Sequence, residues 1–200
     1  MLEIIKDIDL IYHVKEYDVV LIGTSIKNSL GDGFQHKVGR SFPYVIEANN
    51  KTRYNDKSKL GTVNVVGENP IFCLCYIHCG RYRPDLYPDV VDYEALERCL
   101  DLINRNFKGK RIASTIIGGN EFEGGGNPER CLDIMKKSLK DCDVFVYDYK
   151  QIPFRDEDNH NYMAIVEART RGEITSEEYL KRKRKFLWEK KNGLYKPMEE

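Results

Sequence analysis

The sequence predicts an α/β protein: a three-layer α/β/α fold with a mixed central sheet, followed by a C-terminal helical extension. Three observations lead there. Short apolar, β-branched runs recur through residues 1–150, with helical patterns between them. Residues 19–22 and 144–146 are continuously apolar, as in strands covered on both faces. Beyond about residue 151 the strand-like runs stop and charged helical patterns take over.

The elements follow in order. Residues 2–5 form a short first strand and "YDVVLIGTS" (residues 17–25) a strong second one. The next segment reads as a helix containing Phe34, Val38 and Phe42. Residues 62–66 and 71–79 flank "GENP", a turn signal, and read as a β-hairpin. Asp92 then caps a helix whose apolar face is Leu96, Cys99, Leu100, Ile103 and Phe107, at the 3.6-residue period. "RIASTII" (residues 111–117) is the next strand. Asn127, Pro128 and Glu129 start a further helix: a capping side chain, a proline in the first turn, an acid near the positive end. Leu132, Met135 and Leu139 make its inner stripe, and "DVFVYDY" (residues 143–149) is the last strand.

Residues 151–200 read as a linker and a helical hairpin. "PFRDEDNHNY" is polar, and the stretch after it forms two helices around "RGEIT". Thr175 or Ser176 caps the second, with Glu178 nearby. Tyr179, Leu180, Phe186, Leu187 and Trp188 supply its apolar positions. "KRKRK" (residues 181–185) suits a solvated helix face or an anionic partner. The "G-x-I-T-x-E-E-Y" turn resembles a short C-terminal hairpin module of bacterial and phage proteins, which implies self-association through these helices.

Composition excludes several classes. Thirty-two basic residues balance 32 acidic ones, against the basic face of a dedicated nucleic-acid binder. No apolar run nears the ~20 residues that span a bilayer, and "MLEIIKDIDL" lacks the pattern of a signal peptide. The six cysteines therefore read as reduced thiols of a cytoplasmic protein. "CLCYIHC" groups Cys73, Cys75, His78 and Cys79, but its spacing is not that of zinc-ribbon pairs. It reads as a buried strand in which cysteine is a small hydrophobe, so neither metal nor cofactor is expected. The Lys-, Asn- and Ile-rich composition hints at an AT-rich genome, of the phage or viral kind.

Two glycine-rich loops carry the functional signal. In "IGGNEFEGGGNPERC" five glycines fall between residues 118 and 126, between a strand and a helix start. Glycines placed there let backbone N–H groups converge on a phosphate; an exposed surface loop has the same composition. The second loop, "TSIKNSLGDGFQHKVGRSFP" (residues 24–43), follows the strongest strand and carries Gly31 and Gly33. Neither is a P-loop or a dinucleotide fingerprint. In an α/β sheet ligands bind at the carboxyl ends of the strands, so both loops suit one pyrophosphate.

Several motifs line up in order along residues 1–150: "KDIDL" before the first long strand, "TSIKNSLGDGF", "FP" at Phe42 and Pro43, "LGTV" from Leu60, and "IASTIIGGNEFEGGG". Together they resemble the macrodomain, the ADP-ribose-binding fold. The branch they resemble contains the terminal ADP-ribose glycohydrolase and the yeast-type ADP-ribose-1″-phosphate phosphatase. The resemblance implies that Asp9, beside Leu10, reads the adenine amino group; a strand-end cap is the alternative. The family proline of "P-x-I-G" falls at or near Thr115, and a loop glycine is replaced around Asn120. Lys27 and Asp32 stand where the glycohydrolase branch has an acid and a small residue. Lys37 is the counterpart implied for that branch's nucleophilic lysine.

The implied ligand is ADP-ribose or a close small nucleotide, and the implied chemistry hydrolytic: removal of a 1″-phosphate or release of ADP-ribose from a modified group. Binding without turnover, and an assembly role for the hairpin, are the alternatives. Glu121 and Glu123 are the acids placed to reach the distal ribose, with His36 an alternative base; each also suits an exposed surface position. Ser25, Asn28 and Ser29 lie where they face the ligand. The amides of Gly31, Asp32, Gly33 and Phe34 are expected to hold one phosphate. Those of Gly118, Gly119, Asn120 and Glu121, with Gly124, Gly125 and Gly126 completing the loop, are expected to hold the other. Asp32 among such amides would repel an anion unless it points away.

Overall fold

The computed structural model describes residues 1–28, 30, 33–80, 90–119 and 125–149, and residues 175, 178, 181, 182 and 185 of the C-terminal stretch. The chain separates into two compact units, Met1–Lys150 and Gln151–Glu200.

The first unit holds six strands: β1 (Leu2–Lys6), β2 (Val19–Ser25), β3 (Val63–Val66), β4 (Ile71–His78), β5 (Arg111–Ser114) and β6 (Asp143–Asp148). Its helices are α1 (Phe34–Ser41), α2 (Pro43–Asn50), α3 (Tyr93–Asn106) and α4 (Pro128–Ser138). The strands form one sheet in the order β1-β6-β5-β2-β4-β3. All neighbours run parallel except the β3–β4 hairpin.

The sheet is covered on both sides because its central strands carry apolar side chains at consecutive positions. All seven residues of β2 are buried. Val19 and Leu21 face one core with Leu96, Leu100 and Ile103 of α3 and Cys131 and Met135 of α4. Val20 and Ile22 face the other with Leu10, Phe34 and Val38 of α1, and Val45 of α2. Each fully buried aliphatic or aromatic side chain contributes roughly 1.5–3 kcal/mol. These two apolar layers are what hold the three-layer arrangement together.

Two elements differ from the sequence expectation. The helix read through Phe42 is two helices: α1 stops at Ser41, and Pro43 is the first residue of α2. Phe42 sits between them at φ −135° and ψ 73°, outside the helical region, which is where a residue before proline is driven. The strand read to Ile117 ends at Ser114. Ile117 is fully buried but belongs to the loop, where it packs into the α3–α4 core.

In the second unit, the Glu178 N–H donates to Thr175 Oγ1 at 3.2 Å, the bond of a helix N-cap. Glu178, Lys181, Arg182 and Lys185 are helical. Arg182 pairs with Glu178 one turn back at 2.9 Å and holds that carboxyl below its usual range. Ser176 and the apolar positions Tyr179, Leu180, Phe186, Leu187 and Trp188 lie outside the described residues.

Candidate functional site

Because β1, β6, β5, β2 and β4 are parallel, their carboxyl ends share one edge of the sheet. The loops after β1, β2, β4 and β5 therefore gather there, and both glycine loops are among them.

The loop after β2 turns immediately. The Asn28 N–H donates to Ser25 O at 3.1 Å, and the Lys27 N–H to Ser25 Oγ at 3.1 Å. Ser25 is buried, so its hydroxyl serves this turn. Asn28 has φ 57°, the left-handed region that asparagine tolerates better than most residues. Its side chain is committed within the protein: Nδ2 donates to Thr52 O at 2.9 Å, and Oδ1 accepts from Thr52 Oγ1 at 3.1 Å and from Lys59 Nζ.

Lys59 is an unusual component of this edge, being only 9% exposed. Its ammonium also reaches Thr52 Oγ1 at 3.0 Å and lies 4.4 Å from the centre of the Tyr76 ring. Burial pushes its pKa below the usual lysine value, and Asp56 partly restores it. Tyr76 Oη donates to Asn49 Oδ1 at 2.8 Å, and burial pushes the phenol up. Buried Lys59, Tyr76 and Asn49 and half-buried Asn28 and Thr52 thus form one polar unit bracing the first glycine loop.

Gly33 opens α1 with φ 76° and ψ −143°, a conformation open to glycine. A helix start points its first-turn N–H groups, those of Phe34 and His36 among them, away from any intrahelical acceptor. α1 has neither a side-chain cap nor an acid in its first turn. In contrast, α3 is capped by Asp92 and α4 by Asn127. α2 also lacks a side-chain cap and a first-turn acid, but its first residue, Pro43, has no N–H to offer, whereas α1 opens directly from the loop after β2 at the carboxyl edge and suits an anion.

Asp9 and Lys37, singled out separately in the sequence, meet. Lys37 Nζ lies 2.6 Å from Asp9 Oδ2, with Asp9 8% and Lys37 35% exposed. The other Asp9 oxygen accepts the Ile11 N–H at 3.3 Å and caps a turn of 3₁₀ helix, residues 10–12. Asp9 is thus the strand-end cap of the alternative reading, with a lysine attached. Leu10 is buried beneath it in the α1 core. His36 is exposed on α1.

The loop after β5 is closed at its neck by the Gly126 N–H donating to Gly118 O at 2.7 Å. A Cβ on Gly126 would lie 2.9 Å from that oxygen. Gly118 has φ +74°, and a Cβ there would lie 2.9 Å from Val91 Cγ2. Gly119 donates its N–H to Ile116 O at 2.9 Å, and its Cβ would meet Ile116 Cγ2 at 2.6 Å. These three glycines serve close packing of the loop on its own scaffold. The Gly119 and Gly126 N–H groups are thus both bonded within the protein. Gly125, at φ 63°, follows the loop tip. Ser29, Gly31, Asp32, Asn120, Glu121, Glu123 and Gly124 lie outside the described residues.

One residue at the junction of these loops carried no functional signal in the sequence beyond the cysteine-rich run. His78 ends β4, opposite Ser25 of β2, and is 8% exposed. Its carbonyl accepts the Ile26 N–H at 3.0 Å, and it bridges to Val91. Its Nδ1 lies 2.6 Å from Gly80 O. A carbonyl oxygen only accepts, so Nδ1 carries the proton and Nε2 keeps the lone pair in the neutral ring. Burial pushes its pKa below 6.5, against a smaller upward pull from the Gly80 carbonyl.

Among the described residues no three His, Cys, Asp or Glu side chains are grouped to hold a metal ion. Cys73 and Cys75 are buried in β4 while Cys79 is exposed. Burial pushes the Cys73 thiol up to about 12, so it is a poor metal ligand at neutral pH. Among the described residues no helix is long and apolar enough to cross a membrane.

A six-stranded mixed sheet between two helical layers, with two glycine junctions at its carboxyl edge, is the macrodomain fold. Solved macrodomains superpose on it. The macrodomain of Thermus aquaticus DarG matches with TM-score 0.56 at 15% identity, over 74% of this chain and 98% of that one. Thermosipho africanus DarTG, in complex with ADP-ribose, matches at 0.57 and 16% identity, over 76% of this chain and 43% of that one. The Trypanosoma brucei macrodomain, also in complex with ADP-ribose, gives 0.50 at 13% identity, over 74% and 64%. No family profile and no curated protein sequence matches the chain.

Proposed function

We propose that this protein binds ADP-ribose or a close derivative at the carboxyl edge of its sheet and hydrolyses the derivative at C1″ of the distal ribose. The observation that carries the reading is the meeting, at one edge, of the uncapped start of α1 and the closed glycine loop after β5. One phosphate of the pyrophosphate sits on the amides that open α1, where the helix dipole favours negative charge. The other is assigned to amides of the glycine-rich segment 120–125, since the Gly119 and Gly126 N–H groups are bonded within the protein. No arginine or metal is needed for such a grip. Two of the solved structures that match this fold, Thermosipho africanus DarTG and the Trypanosoma brucei macrodomain, are complexes with ADP-ribose, which supports this ligand class.

Hydrolysis takes two forms here. Water displaces phosphate from ADP-ribose-1″-phosphate, or releases ADP-ribose from a modified group, the two activities that the resemblance implies. Glu121 and Glu123, of the second glycine-rich segment, are the acids assigned to reach the distal ribose. The same chain also supports a second reading, a binder without turnover. The observation favouring it is the Asp9–Lys37 ion pair, which holds the candidate nucleophile as a paired ammonium and occupies the candidate adenine reader.

The double change Glu121→Ala and Glu123→Ala separates the two. The hydrolytic reading predicts unchanged ADP-ribose affinity and a loss of turnover of at least about 100-fold, as for removal of a general acid or base. Phosphate release from ADP-ribose-1″-phosphate and ADP-ribose release from a glutamate-modified peptide are the assays. A wild-type chain that binds ADP-ribose and turns over neither substrate establishes the binder.

A further inference from the structure

We propose that His78 is the general base of this site, taking a proton through Nε2 from the water that attacks C1″. The inference rests on the hydrolytic reading above and adds a catalytic residue to it.

The case is positional. His78 stands at the carboxyl end of β4, where that strand leaves the sheet beside the first glycine loop. Its carbonyl anchors that loop through the Ile26 N–H at 3.0 Å. On its other side it bridges to Val91, and the Val91 side chain is the wall against which Gly118 and Gly126 pack, 2.9 and 3.3 Å from the positions their Cβ atoms would take. His78 thus adjoins both loops, with Ile77 beside it also packing on Gly118 and accepting the Asp92 N–H at 2.8 Å.

Its ring is also prepared. Nδ1–H is fixed on Gly80 O at 2.6 Å, which orients the imidazole and assigns the lone pair to Nε2. Burial keeps the ring neutral at physiological pH, the form a base requires. Asp92, which follows Val91, turns its carboxylate to the Ala95 N–H at 2.8 Å as the cap of α3. The competing side chains are less suitable: His36 is exposed on α1, and Lys37 is bound to Asp9.

The step balances without a further reactant. Nε2 takes one proton of water as the oxygen bonds to C1″. The C1″–O bond to the phosphate or carboxylate breaks, and its electron pair leaves with that group. The protonated carboxyl of Glu121 or Glu123 gives its proton to the leaving group, and the imidazolium then returns the proton to that carboxylate. The products are ADP-ribose and the free acid.

Two variants test it. His78→Asn keeps an N–H donor at the Nδ1 position for Gly80 O and removes the Nε2 lone pair. His78→Gln places an amide at the Nε2 position and gives up the Gly80 bond. Affinity for ADP-ribose is measured by calorimetry, and turnover by release from ADP-ribose-1″-phosphate and from the glutamate-modified peptide. The expected result is ADP-ribose affinity within about 3-fold of wild type and turnover lower by at least about 100-fold in both variants. Each variant reports separately, so one that fails to fold leaves the other to decide. Turnover within about 3-fold of wild type in a folded His78→Asn would overturn the assignment and reduce His78 to the anchor of Gly80. A wild-type chain that binds ADP-ribose and turns over neither substrate overturns it too, while leaving the ligand in place. A wild-type chain that does not bind ADP-ribose overturns the functional reading itself.

Discussion

At the scale of single residues, charge pairing distinguishes this edge from what its sequence implied. Asp9 and Lys37 were each legible as polar residues near a ligand, but residues so far apart in sequence gave no sign of meeting. The carboxylate is nearly buried and the ammonium about one-third exposed. Removing one partner leaves the other desolvated, so Asp9→Ala is expected to cost roughly 1–3 kcal/mol, between the values for exposed and for fully buried pairs. Urea unfolding measures this, and a loss below about 0.5 kcal/mol would show that the pair is solvated. His78 makes a prediction with a definite sign. Its folded pKa lies below the ordinary 6.5, so the unfolded chain binds the proton more readily. His78 therefore favours folding above about pH 6.5. That contribution falls as pH drops toward the folded pKa and levels off below it. The melting temperature of wild type relative to His78→Asn should decline from pH 7.5 to 5; a flat difference would contradict burial as the cause. The buried Lys59 had no signal in the sequence, because a lysine beside "LGTV" reads as a surface charge until Asn28, Thr52 and Tyr76 are seen around it.

At the scale of elements, the glycines of the second loop have two uses that the sequence could not separate. A cluster of glycines signals close backbone approach, but not what approaches. Gly118, Gly119 and Gly126 prove to be needed by the protein's own neck. Gly118→Ala would force a side chain into a left-handed backbone against Val91 and is expected to cost roughly 1–3 kcal/mol. Thermal unfolding reads that cost, and full stability in this variant would contradict the neck as described. The strands and the capped helices α3 and α4 were legible because local signals and the apolar period agreed. α2 was not, although Pro43 marks its start: Val45 and Asn49 are buried while Tyr44 and Ile46 are exposed, so it shows no clean apolar stripe. β5 was read three residues too long because Ile116 and Ile117 are apolar for burial in a loop, not for pairing in the sheet.

At the scale of the whole molecule, the order β1-β6-β5-β2-β4-β3 brings together loops that are distant in the chain. The parallel strands make one edge of the sheet the meeting place. There, α1 starts without a side-chain cap at Gly33, the glycine loop closes its neck, and a polar unit around the buried Lys59 supports the turn at Asn28. The central claim is that this edge grips one pyrophosphate. Isothermal titration of the full chain with ADP-ribose, with AMP and NAD as controls, tests it most directly. The account predicts a single site of about micromolar affinity that discriminates against both controls. No heat with ADP-ribose, or equal affinity for AMP, would contradict it and leave the macrodomain likeness as a statement about fold alone.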